Sequence, residues 1–225
     1  VRPGTTTLAL DRVADRVIRS LGGVPSFLGY RGFPASACIS VNDEIVHGIP
    51  GRRVLREGDL VKVDLGALVD GYPGDVAATF PVGSISPRTR RLLRVTEEAL
   101  FRGIEAVCPG ARLGDVGYAV QSFVESHGFS VVRQFAGHGV GRSLHEDPQV
   151  PNFGKPGKGM VLRPGMVLAV EPMVNEGTWR AVVDGDGWTV RTADGQLSAH
   201  FEHTVAVTED GYEILTLLDD GENPW

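Results

Sequence analysis

Five residues of this 225-residue chain carry atoms suited to holding cations, in settings where a free charge is out of place. Asp64 interrupts the run Val61-Lys62-Val63-Asp64-Leu65, and Asp75 stands just past an Asp70-Gly71 turn signal. His138 lies in Gly137-His138-Gly139-Val140-Gly141. Glu171 ends the run Met166-Val167-Leu168-Ala169-Val170, and Glu202 sits in Phe201-Glu202-His203-Thr204-Val205. A carboxylate enclosed among apolar strand residues is costly unless positive charge balances it. Lys62, which strand alternation puts on the same face as Asp64, is the only cation within these runs. One ammonium cannot balance four carboxylates; a pair of divalent ions can. Four carboxylates and one imidazole are a mostly oxygen set, suited to bridged Mn, Co, Fe or Zn ions rather than to a thiolate zinc site. Taken singly, each residue has a plainer explanation. Asp64 could face solvent, Asp75 could serve the turn, Glu171 could end an edge strand before Pro172, and Glu202 could pair with Arg191. Only the five together point to metal.

Positioning these groups requires strands. Leu60 to Ala67 and Asp75 to Phe80 read as a hairpin about Asp70-Gly71, which can bring Asp64 and Asp75 opposite each other. Ala37 to Val41 suits a short strand, and further strands are expected over Val167–Glu171, Trp188–Arg191 and Leu197–Val207. Leu8, Val13, Val17, Ile18 and Leu21 have helical spacing, stopped by Gly22-Gly23. Ser86-Pro87 opens a second helix with Leu92, Leu93, Thr96, Leu100, Ile104 and Val107 inward, ended by Pro109-Gly110. A third carries Leu113, Val116, Val120, Phe123 and Val124 inward and stops at Gly128. The order is α+β, not alternating βαβ. Pro25 to Pro34 reads as an aromatic loop.

Composition excludes several classes. No apolar run is long enough to span a bilayer as a helix. Acidic residues outnumber basic ones, 28 to 22, without a basic stripe, so direct nucleic-acid readout is not expected. Cys38 and Cys108 are too few for a disulfide framework, which favours a cytoplasmic setting. Gly137-x-Gly-x-Gly141 lacks the flanking strand and helix of a phosphate loop. His127, His200 and His203 have no context that marks them as functional.

Three stretches resemble signatures of type I methionine aminopeptidase: Asn42-Asp43-Glu44-Ile45-Val46-His47-Gly48-Ile49-Pro50; Gly137 to Gly141 with Leu144-His145-Glu146-Asp147-Pro148; and Glu171-Pro172-Met173-Val174-Asn175. The Asp64–Asp75 separation and Ser198 to Thr204 fit the same pattern, and the resemblance runs from about Val1 to Leu217. The gaps from His145 to Glu171 and on to Glu202 leave no room for the helical insertion of the type II enzymes.

The resemblance implies a pita-bread fold: one catalytic domain over residues 1–225, with two pseudo-symmetric halves on a curved antiparallel sheet and helices on its outer face. A helical segment that precedes the Val1 region in the family is expected to be missing. Asp64 is implied to chelate one divalent ion, Asp75 and Glu202 to bridge two, and His138 with Glu171 to complete the second. A water held between the ions would attack the first peptide bond. Glu171 would relay its proton, and His145 and His47 would contact the scissile amide. Tyr30, Phe33, Cys38 and Trp188 are implied as walls of a methionine pocket. Leu144 stands where an aromatic is usual and Phe27 where a small residue is, so the pocket's shape should differ. A monovalent cation at the main-chain oxygens of Asn42, Glu44 and Ser198 is also implied. Expected partners are nascent polypeptide N-termini, with the ribosome a further candidate and the chain a monomer. The alternatives are a prolidase-like or aminopeptidase P-like peptidase, and a non-catalytic peptide-binding module of the same fold.

Overall fold

The computed structural model describes residues 1–218 and 220–225. Helix α1 (Thr7–Ser20) begins where the Thr6 hydroxyl accepts the Ala9 N–H. Leu10 and Ala14 pack it on Ile39, Leu55 and Val82, while Val13, Val17 and Leu21 stay exposed, so only part of its apolar set serves the core. Strand β1 (Val24–Pro25), a tight turn at Tyr30–Gly32, β2 (Ala37–Val41) and β3 (Glu44–Val46) follow. The hairpin of β4 (Leu60–Val69) and β5 (Tyr72–Pro81) begins at Leu60 as expected but runs further on both sides of its turn than alternation in the sequence suggests, and one residue past Phe80. Its turn puts Asp70 at φ 49° and Gly71 at φ 86°, the doubly left-handed geometry that Asp-Gly favours in two-residue hairpins.

Helix α2 (Pro87–Glu105) starts at Ser86, whose hydroxyl accepts the Thr89 N–H, with Pro87 inside the first turn. Helix α3 (Leu113–Ser126) starts where the Asp115 carboxylate accepts the Arg112 N–H. The remaining strands are β6 (Ser130–Val131), β7 (Gly137–Gly139), β8 (Glu146–Val150), β9 (Val167–Val170), β10 (Met173–Asn175), β11 (Ala181–Val183), β12 (Val190–Thr192), β13 (Ser198–His200), β14 (His203–Val207) and β15 (Tyr212–Ile214). All ladders are antiparallel. In one sheet β4 pairs with β1, β2 and β5; another runs β15-β14-β9-β7-β8. Two three-stranded sheets, β13-β10-β6 and β11-β12-β3, complete the set.

Helices α2 and α3 cover one side of these sheets. Leu92, Leu100 and Ile104 are wholly buried against Val116, Val120, Leu168, Val174 and Val205, each worth about 1.5–3 kcal/mol in burial. Ala78 of β5 points into this core, so the pleat turns Asp75, Ala77 and Thr79 to the opposite face.

On that face the two larger sheets are stitched together. Ala77 and Glu202 exchange backbone hydrogen bonds of 2.8 and 3.4 Å. Two residues to either side, hydroxyls replace direct backbone pairing. Thr204 accepts the Asp75 N–H (3.0 Å) and donates to the Asp75 carbonyl (2.8 Å); Thr79 accepts the His200 N–H (2.8 Å) and donates to the His200 carbonyl (2.7 Å). This joint brings the Glu202 strand up to the Asp75 strand. No helix among the described residues is long and apolar enough to cross a membrane.

Candidate metal centre

Asp64 in β4, Asp75 in β5, His138 in β7, Glu171 just after β9, and Glu202 between β13 and β14 all line one cavity of about 140 Å³. Asp64 and Asp75 are not directly opposite. The two-residue turn fixes a register that pairs Asp64 with Ala77 and Asp75 with Gly66, so the carboxylates lie diagonally on one face. Diagonal neighbours stay within reach of a shared ligand.

Donor atoms of Asp75, His138 and Glu202 lie within 4.8 Å of one another, the one such trio among the described residues. That is close to the roughly 3–4.2 Å separations possible for donors ~2.1 Å from a common ion. Glu171 borders the trio, its Oε1 3.6 Å from His138 Nε2, while Asp75 Oδ2 is 3.7 Å from the same nitrogen. Asp64 lines the cavity beside them.

His138 reaches this place because its neighbours have no side chains. A Cβ on Gly137 would come 2.2 Å from the Ala169 carbonyl, and one on Gly139 would come 2.4 Å from that of Asp147. The glycines therefore admit β7 between β8 and β9; they form no phosphate cradle. His138 Nδ1 donates to the Gly139 carbonyl at 2.9 Å, which fixes the tautomer and leaves the Nε2 lone pair facing the acids.

The cluster is short of positive charge. Asp64 Oδ1, Asp75 Oδ1 and Glu202 Oε1 are buried with no hydrogen-bond partner. Burial, reinforced by neighbouring carboxylates, pushes the Asp64, Glu171 and Glu202 carboxyls well above the usual range. Burial lifts Asp75 to about 7. Buried carboxylate oxygens gathered without protein donors are what a cation site provides, and this donor set fits divalent ions. Lys62 does not balance it. The side chain lies on the expected face, but Nζ runs to the carbonyls of Asn42 (2.6 Å) and Ser198 (3.0 Å) and makes no ion pair with Asp64. Burial pulls the Lys62 ammonium down to about 7, opposed by Glu44 and Asp43. Arg191 binds Asp43, Glu44 and Asp184, not Glu202.

His47 and His145 also line the cavity. His47 sits at φ 59° in the turn after β3. The His145 ring stacks on Tyr30 with centroids 5.1 Å apart and lies 4.0 Å from the His138 ring. Burial lowers both His47 and His145 to about 4, so both imidazoles are neutral at neutral pH. Phe27, Phe33, Cys38 and Leu144 form a buried cluster with Tyr30 and Trp188 packed against it, Phe33 meeting Trp188 edge-on at 5.1 Å. Phe27 is accommodated by Gly66, where a Cβ would lie 2.6 Å from its ring.

Two residues without a functional context in the sequence also belong here. His200 is fully buried, both ring nitrogens unpartnered, with Nε2 3.8 Å from Glu171 and 4.0 Å from Glu202. Its position depends on the Thr79 joint, which no local pattern reveals. Arg31 lines the cavity beside Tyr30.

Antiparallel sheets that converge on a carboxylate–histidine basket, with helices outside, define a metal-dependent hydrolase of the pita-bread fold. More narrowly, the chain belongs to metallopeptidase family M24, which matches residues 1–209. It is 54% identical over 216 residues to methionine aminopeptidase 1 of Bacillus subtilis, covering 96% of this chain and 87% of that one. The crystal structure of methionine aminopeptidase from Rickettsia prowazekii superposes with TM-score 0.95 at 46% identity, covering 96% of this chain and 88% of that one. Prolidase from Pyrococcus furiosus is more distant, with TM-score 0.74 at 26% identity, covering 97% of this chain but 58% of that one.

Proposed function

We propose that this chain removes the N-terminal methionine from new polypeptides whose second residue is small, using two divalent ions held by Asp64, Asp75, His138, Glu171 and Glu202. One observation carries the reading: the unpartnered carboxylate oxygens face a small cavity whose other wall is aromatic and apolar. Bound divalent ions lower the pKa of water towards neutrality and polarise a carbonyl. Glu171 is the proton carrier: its carboxylate accepts a proton from water and delivers it from its Oε to the leaving amide nitrogen. His145 donates a ring N–H to the carbonyl oxygen as negative charge develops, and His47 contacts the scissile amide. Both act as neutral imidazoles. Tyr30 holds the His145 ring plane by stacking.

Tyr30, Phe33, Cys38 and Trp188 form the wall for the methionine side chain, joined by Phe27 and Leu144. Aromatic rings suit a polarizable thioether. The cavity volume is close to the roughly 150 Å³ that holds a benzene-sized guest, so one side chain enters. The substrate α-amine lies by Asp64, which restricts cleavage to chain ends. The setting is cytoplasmic, the chain a single catalytic domain acting as a monomer on nascent chains, with the ribosome a candidate docking partner.

Hydrolysis of Met-Ala-X against X-Pro peptides, with metal analysis after dialysis, tests this. Release of methionine with Mn, Co, Fe or Zn retained is expected. Cleavage of X-Pro peptides alone would indicate a prolidase, and no cleavage by metal-loaded protein a binding module.

A further inference from the structure

Lys62 is 1% exposed, among the largest wholly buried side chains, and its ammonium faces no carboxylate within ion-pairing distance among the described residues. Nζ instead donates to the main-chain carbonyls of Asn42 and Ser198. Those are two of the three oxygens at which family resemblance implies a monovalent cation. Two cations cannot share them: the ammonium already stands at 2.6 and 3.0 Å, and a second like charge there would meet strong repulsion in a buried setting. The expected ion does not fit this chain.

We propose that the Lys62 ammonium is a built-in substitute for that ion, which makes assembly of the metal centre independent of alkali cations. The neighbourhood shows what it holds. Asn42, at φ 59°, ties its turn to β4 through Asn42 N–H to the Leu60 carbonyl and Leu60 N–H to Asn42 Oδ1, both 2.9 Å. The Asn42 carbonyl also accepts the Ser198 N–H at 3.1 Å. Ser198 opens β13, which leads directly to His200 and Glu202, whereas Lys62 stands two residues before Asp64. Lys62 thus clips the Glu202 strand to the Asp64 strand. It touches no reacting atom and is a positioning residue. The catalytic consequence rests on Asp64 and Glu202 being metal ligands; the clip itself does not.

The test compares wild type, Lys62→Ser and Lys62→Met in potassium, sodium and choline chloride at equal ionic strength, reading thermal midpoint and Met-Ala-X hydrolysis. Wild type should give the same midpoint and rate in all three salts. Lys62→Ser, which opens room for an ion, should melt roughly 5 °C or more lower in choline and recover in potassium or sodium, with activity following. Lys62→Met should recover in no salt. A wild-type midpoint that rises specifically with alkali ions overturns the proposal, whether or not the variants fold. So does a folded Lys62→Ser protein indifferent to the cation. Absence of hydrolysis in every sample, with the midpoints behaving as described, would refute the peptidase reading and leave the clip standing.

Discussion

Removing the divalent ions should change how stability depends on pH, and the direction follows from the carboxylates. Asp75 titrates near 7 in the metal-free fold, against 3.8 for an ordinary aspartate, because burial disfavours its charge. Between those values the native state holds a proton that the unfolded chain has lost, so this group's contribution is greatest below about 4 and is lost as pH rises to about 7. Asp64, Glu171 and Glu202 shift the same way. His47, His145 and His200 run oppositely, lowered to about 4, 4 and 3, and add stability as pH rises through the same window. The raw midpoint of the apoprotein therefore mixes two opposed trends. These histidines are not in the proposed ligand set, so subtracting the apo from the loaded midpoint largely removes their part. What remains is proton displacement by metal. Each displaced proton changes metal affinity tenfold per pH unit, about 1.4 kcal/mol. From pH 5 to 7, Asp75 alone gives about 2 kcal/mol, because it is already half-ionised at the upper limit, a widening of the loaded-minus-apo gap by roughly 4–9 °C in a chain of this size. Differential scanning calorimetry at fixed excess Mn²⁺ or with chelator measures the gap. Titration calorimetry in buffers of different ionisation heat counts the protons. A gap that stays constant from pH 5 to 7, with heats independent of buffer, would refute the carboxylate-cluster argument.

Replacing His145 with Ala should lower kcat by about 10²–10³ while KM moves little, as for loss of an oxyanion donor; steady-state kinetics on Met-Ala-X peptides checks this. Trp188→Ala should reduce kcat/KM on the same peptides at least ~10-fold, and unchanged activity would remove Trp188 from the pocket. Thr204→Val keeps the shape but strands the Asp75 N–H and carbonyl, so it should cost roughly 2–4 kcal/mol and lower the thermal midpoint, with metal affinity weakened as well.

The parts of this fold that were legible in the sequence are those whose signals are local. Ser86-Pro87 starts α2, Asp70-Gly71 makes the hairpin turn, and Gly128 follows α3, because a cap, a doubly left-handed turn and a helix stop each depend on a few adjacent residues. The convergence of Asp64, Asp75, His138, Glu171 and Glu202 on one cavity was legible differently. Acids within apolar runs have few physical justifications, and several together point to a shared cation. Register was legible but misread: the two-residue turn at Asp70-Gly71 fixes Asp64 opposite Ala77, two residues from Asp75.

His200 and Lys62 show why the rest stayed hidden. His200 lies beside Glu171 and Glu202 because the hydroxyl of Thr79, 121 residues earlier, replaces a backbone partner for its strand. Alternation correctly gives Lys62 the face of Asp64. But a four-carbon stem carries its charge to carbonyls of residues 42 and 198, where it ties strands instead of neutralising acids. In both cases the residue's role is set by a partner strand distant in sequence. The same separation makes the proposed centre depend on the joint: five cavity-lining residues on five stretches of chain come together only while Thr79, Thr204 and Lys62 hold those stretches in register.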